Sequence, residues 1–196
     1  ESTVIAWSSA GRGPTSSAPG TDTISLINWI PSSASPRATI SALGVIAATG
    51  FQPIGLWPLA LLAIGLLAAM LPATRSWSQA AWLGWLFGLG HFTLGNSWIA
   101  TAFTFQANMP AVFGWAAVPL LAAYLAVYPA LAAGAARAFS RTARNGSVAF
   151  TFAFAGCWIV AEWLRSWVFT GYPWNPFGIV LLGPMDRPGL AAIAPW

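Results

Sequence analysis

Glu162 and Arg165 stand three residues apart inside an otherwise lipid-soluble run, Cys157-Trp-Ile-Val-Ala-Glu-Trp-Leu-Arg-Ser-Trp167. An acid and a guanidinium at that spacing share one helix face, where pairing lowers the cost of taking either out of water. The run leads into Thr170-Gly-Tyr-Pro-Trp174, a turn crowded with aromatic rings. A guanidinium beside such a turn could receive a phosphate through its planar fork of donors. Taken alone, the residues are read first as a structural ion pair under an aromatic belt, with Trp158, Trp163, Trp167, Tyr172 and Trp174 at the membrane–water boundary.

The other groups with chemical potential are few. Cys157 is the single cysteine, so no internal disulfide forms. It lies mid-helix after Gly156, and nothing in its local sequence activates a thiol. His91, Thr93, Asn96 and Ser97 form a polar set that should face protein or a wet cavity instead of lipid. His91 is expected to hydrogen-bond a neighbouring helix. No second His, Cys or acid stands at ligand spacing, so no metal site is expected, and no cofactor.

Composition places these groups in a membrane. Of 196 residues, 57% are hydrophobic and only 6% charged, against a charged share of about 25% in soluble domains. A soluble fold of this size could not hide that surface, whereas a bilayer solvates it. All 8 basic residues are arginine, and lysine is absent. The net charge of +4 is scattered between apolar segments, so it is read as topology and not as nucleic-acid binding.

The expected fold is an all-α, multi-span transmembrane bundle. Residues 1–37 are rich in Ser, Thr, Pro and Gly and read as a disordered cytoplasmic tail, with Ile24–Ile30 resting in the membrane interface as the alternative. Two short apolar runs, 38–51 and 55–71, flank Gln52-Pro53 and should form a tight hairpin. A longer span follows at 79–105, where Gly84 and Gly88 let a neighbour approach closely. The next, 112–136, carries the small stripe Ala122, Ala126, Ala130, Gly134, and Pro119 and Pro129 should kink it. A fifth, 147–169, delivers the aromatic turn, and 189–196 begins a sixth. Arg137, Arg141 and Arg144 mark a cytoplasmic loop, with Arg75 and Arg37 on the same side and the N-terminus inside. The start at Glu1 and the stop at Trp196, within a fresh apolar run, lead us to expect part of a longer membrane protein.

Ala161-Glu-Trp-Leu-Arg-Ser-Trp-Val-Phe-Thr-Gly-Tyr-Pro-Trp-Asn-Pro-Phe-Gly178 resembles the E-[FW]-L-R…T-G-[FY]-P-W…F-G signature of apolipoprotein N-acyltransferases. Leu120–Tyr128, Gly88–Trp98 and the Phe51-Gln-Pro…Trp57-Pro58 joint are similar to other stretches of the family in the same order, covering roughly 38–196. Ser97 departs from the family, whose members often carry Asn before that tryptophan. The resemblance implies a bacterial inner-membrane enzyme whose spans carry a periplasmic nitrilase-like domain with a Glu–Lys–Cys triad. A cysteine thioester takes an acyl chain from a phospholipid and passes it to the amino group of a lipoprotein's N-terminal diacylglyceryl-cysteine. The phospholipid donor, the lipoprotein acceptor and the membrane are thus the implied partners.

A chain without lysine cannot assemble that triad, so no catalytic residue is assigned here, Cys157 included, and the chain alone should be inert. Glu162, Arg165, Tyr172 and Trp174 are the candidate lipid-facing residues, shaping an outer-leaflet mouth beneath the catalytic domain. Two rival readings remain at this level. One is a piece of a polytopic transporter or channel with His91, Asn96, Glu162 and Arg165 along a polar path; the other is a structural membrane subunit.

Overall fold

A computed structural model describes residues 36–106, 110, 112–140, 147–168 and 171–182. The tail at 1–35, the expected sixth span at 189–196, and the loop holding Arg141 and Arg144 lie outside the described residues. Every regular element among those described is helical. Seven α-helices occur there: α1 Pro36–Ala48, α2 Trp57–Met70, α3 Trp77–Gly95, α4 Trp98–Thr104, α5 Val112–Leu125, α6 Val127–Phe139 and α7 Ser147–Trp167. Short 3₁₀ turns follow at Leu71–Ala73 and Phe177–Leu182.

The α1–α2 hairpin forms where the sequence places it. Pro36 opens α1, where a missing N–H costs nothing, and Leu56 donates its backbone N–H to Thr49 at 2.9 Å across the turn. Gln52-Pro53 is a cis peptide within that turn. At 13 and 14 residues, the two helices are each about 20 Å long. α3 starts on a cap: the Ser76 hydroxyl accepts from the Gln79 N–H at 3.2 Å, and Gln79 Oε1 accepts from the Arg75 N–H at 2.8 Å, a variant of the reciprocal capping box.

α3 is the hub, packing against α1, α5 and α6. Close approach is the reason it can be. A Cβ added at Gly84 would meet the Pro129 carbonyl and, at 2.8 Å, Ala133 Cβ on α6. Gly88 faces Ala126 Cα at 2.9 Å on the same reckoning. Of the small stripe expected on that neighbour, Ala126 meets Gly88 and Gly134 lies against Ala81 of α3; Ala122 is buried as well and Ala130 half-buried. On the opposite side Gly44 of α1 lies against the Phe87 backbone. Small residues are the usual means of such contact in lipid, where apolar burial gives no separate driving force.

One expected span is interrupted, and another shows a one-residue turn near a proline expected to kink it. The 79–105 segment breaks at Asn96-Ser97 between α3 and α4. Gly95-Asn96 is a helix-stop pair, and Asn96 caps α3 through N–H bonds to the Leu94 and Phe92 carbonyls. The 112–136 segment changes at Ala126. Pro129 there cannot donate to Leu125, four residues back; Pro119 lies inside α5 without a break.

Two described helical stretches are long and apolar enough to cross a membrane, Val112–Phe139 and Val148–Trp167. Their outer faces are apolar as well: Trp115, Leu120 and Phe152 are each more than 70% exposed. Large apolar side chains so exposed suit lipid and not water.

Candidate functional site

The site is built on the last two turns of α7. Glu162 is the centre, because one carboxylate oxygen, Oε1, gathers three donors. Trp158 Nε1, one turn earlier, donates at 3.1 Å. The backbone N–H of Phe177 donates at 2.7 Å from fifteen residues further on. Arg165, one turn later, reaches it from Nη2 at 3.5 Å, so the pair expected at i, i+3 forms with the guanidinium at the long end of contact. Hydrogen bonds to a charged acceptor are worth about 1.5–3 kcal/mol each. Glu162 therefore ties the chain beyond the loop back to the helix it left.

Arg165 is 3% exposed and Glu162 20%. The guanidinium carbon stands 5.2 Å from the Phe92 ring centroid, a cation–π contact that strengthens with desolvation. Its Nε is buried without a protein hydrogen-bond partner.

Phe177 is why the Glu162 tether matters. Its ring meets Phe51 of the hairpin at 6.3 Å, His91 of α3 at 5.9 Å and Trp158 of α7 at 5.9 Å. One side chain thus joins the α1–α2 turn to α3 and α7 at the end of the bundle. Such pairs add about 0.5–1.5 kcal/mol each beyond the area they bury.

The aromatic loop divides into an outer and an inner half. Tyr172 is 54% exposed and its ring lies 4.8 Å from that of Trp174 in a T-shaped pair. Trp174 turns inward against Phe92, Ala122 and Leu125 of α3 and α5. The turn is tightened by the Trp174 N–H bonding the Tyr172 carbonyl at 2.9 Å. Gly171 takes φ +66° and Asn175 φ +43°, a left-handed region that those two types enter most readily.

The expected aromatic belt is corrected at one position. Trp163 and Trp167 are exposed at 57% and 72%, whereas Trp158 is 9% exposed and belongs to the core. Its indole N–H is satisfied by Glu162, so it has no need of the interface. Phe177 is the member of the site that side-chain spacing alone did not single out. The signal for Phe177 was present as the Phe-Gly ending of the motif.

Of the polar set on α3, His91 and Asn96 are buried at 2% and 1%. His91 hydrogen-bonds the backbone of Gly44 on α1, the neighbouring-helix bond expected of it. The Thr93 hydroxyl donates to the Leu89 carbonyl at 2.6 Å, and Ser97 is exposed. Cys157, half-buried, lines an open apolar groove between α6 and α7 with Leu131, Phe152 and Val160. Among the described residues neither an acid nor a base lines that groove. Among the described residues no group of three or more His, Cys, Asp or Glu could hold a metal ion.

Comparison with known proteins converges on one family. The family model described as the apolipoprotein N-acyltransferase N-terminal domain matches residues 43–196. An apolipoprotein N-acyltransferase of Ralstonia nicotianae is 38% identical over 141 residues, 72% of this chain and 27% of the relative. Those of Rickettsia bellii and Vibrio cholerae are each 35% identical, covering 73% and 78% of this chain but 28% and 29% of the relatives. The chain thus spans less than a third of these relatives' length. It belongs to the apolipoprotein N-acyltransferase family.

Proposed function

We propose that this chain is the N-terminal membrane part of an enzyme that moves an acyl chain from a phospholipid to the N-terminal diacylglyceryl-cysteine of a lipoprotein. The transfer runs through a thioester on a cysteine of a nitrilase-like domain, with Glu as general base and Lys stabilising the oxyanion. Those catalytic residues belong to the part of the protein outside this chain. The chain itself supplies the platform in the bacterial inner membrane, with an N-terminal cytoplasmic tail, five spans and the start of a sixth. No nucleic acid takes part.

One contact supports the topology. Arg137 Nε at the end of α6 donates to the Thr74 carbonyl at 3.0 Å, beside Arg75. The arginine-bearing end of α6 and the α2–α3 connection therefore share one end of the bundle, as the positive-inside reading requires. α7 runs away from that end and carries Glu162, Arg165 and the aromatic loop to the other.

We assign Glu162, Arg165, Tyr172 and Trp174 to a lipid-facing mouth below the catalytic domain. The observation that carries this is the single Glu162 oxygen binding Trp158, Arg165 and Phe177. Tyr172 presents the exposed face and Trp174 anchors it, while Glu162 and Arg165 hold the loop from behind. The 3% exposure of Arg165 supports a positioning role, since a phosphate reaches its fork only when the loop moves aside. The test is Arg165→Lys in the complete protein, with acyl-thioester formation compared at matched protein level. Slower thioester formation is expected, because a point charge cannot reproduce the planar contact with Glu162 and Phe92. An unchanged rate overturns the assignment, and a loss of protein level alone reduces Arg165 to a folding element.

A further inference from the structure

A set of buried polar atoms at the end of α3 is left unexplained by the Glu162 tether. Asn96 Oδ1 and Nδ2, His91 Nδ1, Arg165 Nε and Asn175 Nδ2 are all buried with no protein hydrogen-bond partner. They come from α3, α7 and the aromatic loop, three segments that meet at the C-terminal end of α3. Asn175 Nδ2 lies directly against Gly95, the neighbour of Asn96. Arg165 sits over Phe92, one turn before Asn96, and the His91 ring is 4.9 Å from that of Phe92. Leaving one such group unpaired costs about 1–3 kcal/mol, so four residues left bare would together cost an amount comparable with the whole stability of a domain, about 5–15 kcal/mol.

The chemistry of the atoms selects their partner. Arg165 Nε, Asn175 Nδ2 and Asn96 Nδ2 donate; Asn96 Oδ1 accepts, and so does His91 Nδ1 when the other ring nitrogen donates to the Gly44 carbonyl. A phosphate oxygen only accepts, so it would serve the donors and strand the other two. Water donates and accepts, and a buried water is held by two to four polar partners of this kind. We propose that the end of α3 is a hydrated site, in which bound water joins Asn96 to Asn175 of the loop and to Arg165 of α7. The loop is then held to the bundle twice, by Glu162 through Phe177 and by water through Asn175.

The test has two arms in the complete, purified protein. A density map that resolves solvent should show ordered water within about 2.7–3.2 Å of the Asn96 side chain and of Arg165 Nε or Asn175 Nδ2. A lipid headgroup there, a direct Asn96–Asn175 or Asn96–Arg165 hydrogen bond, or no density overturns the proposal. The second arm is Asn96→Leu, close in size but without polar atoms. Bound water predicts a lowered Tm, because the remaining partners lose their bridge. A Tm equal to or above that of the parent overturns it, since removing a truly orphaned amide is neutral or stabilising. Should the leucine variant not accumulate, the density map decides.

Discussion

Glu162 Oε1 accepts the backbone N–H of Phe177 at 2.7 Å. It is a side chain holding main chain across a loop, and it fixes where the polypeptide returns to the bundle after leaving the C-terminal end of α7. Everything aromatic around it depends on that return. Glu162→Ala should release Phe177 and Trp158 together, lowering stability by about 1.5–3 kcal/mol for each bond to the charged oxygen that is lost. Glu162→Gln keeps an acceptor at the same place and should cost markedly less. Thermal unfolding of the two purified variants measures the order, and equal losses would mean that charge against Arg165, not the tether, is what counts.

Phe177 should be sensitive for a different reason. Its ring contacts three elements, so Phe177→Ala opens a cavity at their junction, a change worth about 3–5 kcal/mol in well-packed cores. Phe177→Leu refills part of the volume and should recover part of the loss. Limited proteolysis after residue 168 reports this directly, since a loosened loop is cut faster.

Glycine positions separate packing from open space. Gly84→Leu should prevent α3 from approaching α6, because even a Cβ there collides with the Pro129 backbone, and the protein level in membranes should fall several-fold. Gly156 has nothing within 4 Å of the same construction. Gly156→Ala should therefore be neutral or gain up to about 1 kcal/mol from helix propensity. Comparing the two levels by quantitative blotting checks both expectations at once.

Cys157 is a control on the assignment of chemistry. It lies in an apolar groove without an acid or base in its lining, so Cys157→Ala should leave acyl-thioester formation in the complete protein unchanged. A lost thioester in that variant would place the nucleophile inside the membrane part.

The sequence carried the short-range features of this site and missed the long-range ones. The Glu162–Arg165 pair and the Gly84, Gly88 and alanine stripes are legible because helical spacing alone puts such residues on one face. Gly44 meeting Phe87 and Glu162 meeting the Phe177 N–H are not, since no local period links two segments whose distance is set by the fold. Trp158 was misplaced at the interface because tryptophan near a span's end reads alike whether it faces lipid or core; only its bond to Glu162 decides. The break at Asn96 had a local signal in Gly95-Asn96, which the apolar residues on both sides outweighed. The family motif was readable throughout, while the order in which it assembles around Glu162 required the structure.

The most direct measurement is acyl-thioester formation from a phospholipid donor by the complete protein, comparing Glu162→Ala and Arg165→Lys with the parent at matched membrane levels. Release of the loop at 171–176 should slow thioester formation in both, most in Glu162→Ala. Parent-level rates in both variants would contradict the claim that this end of the bundle shapes the mouth through which the donor lipid reaches the catalytic domain.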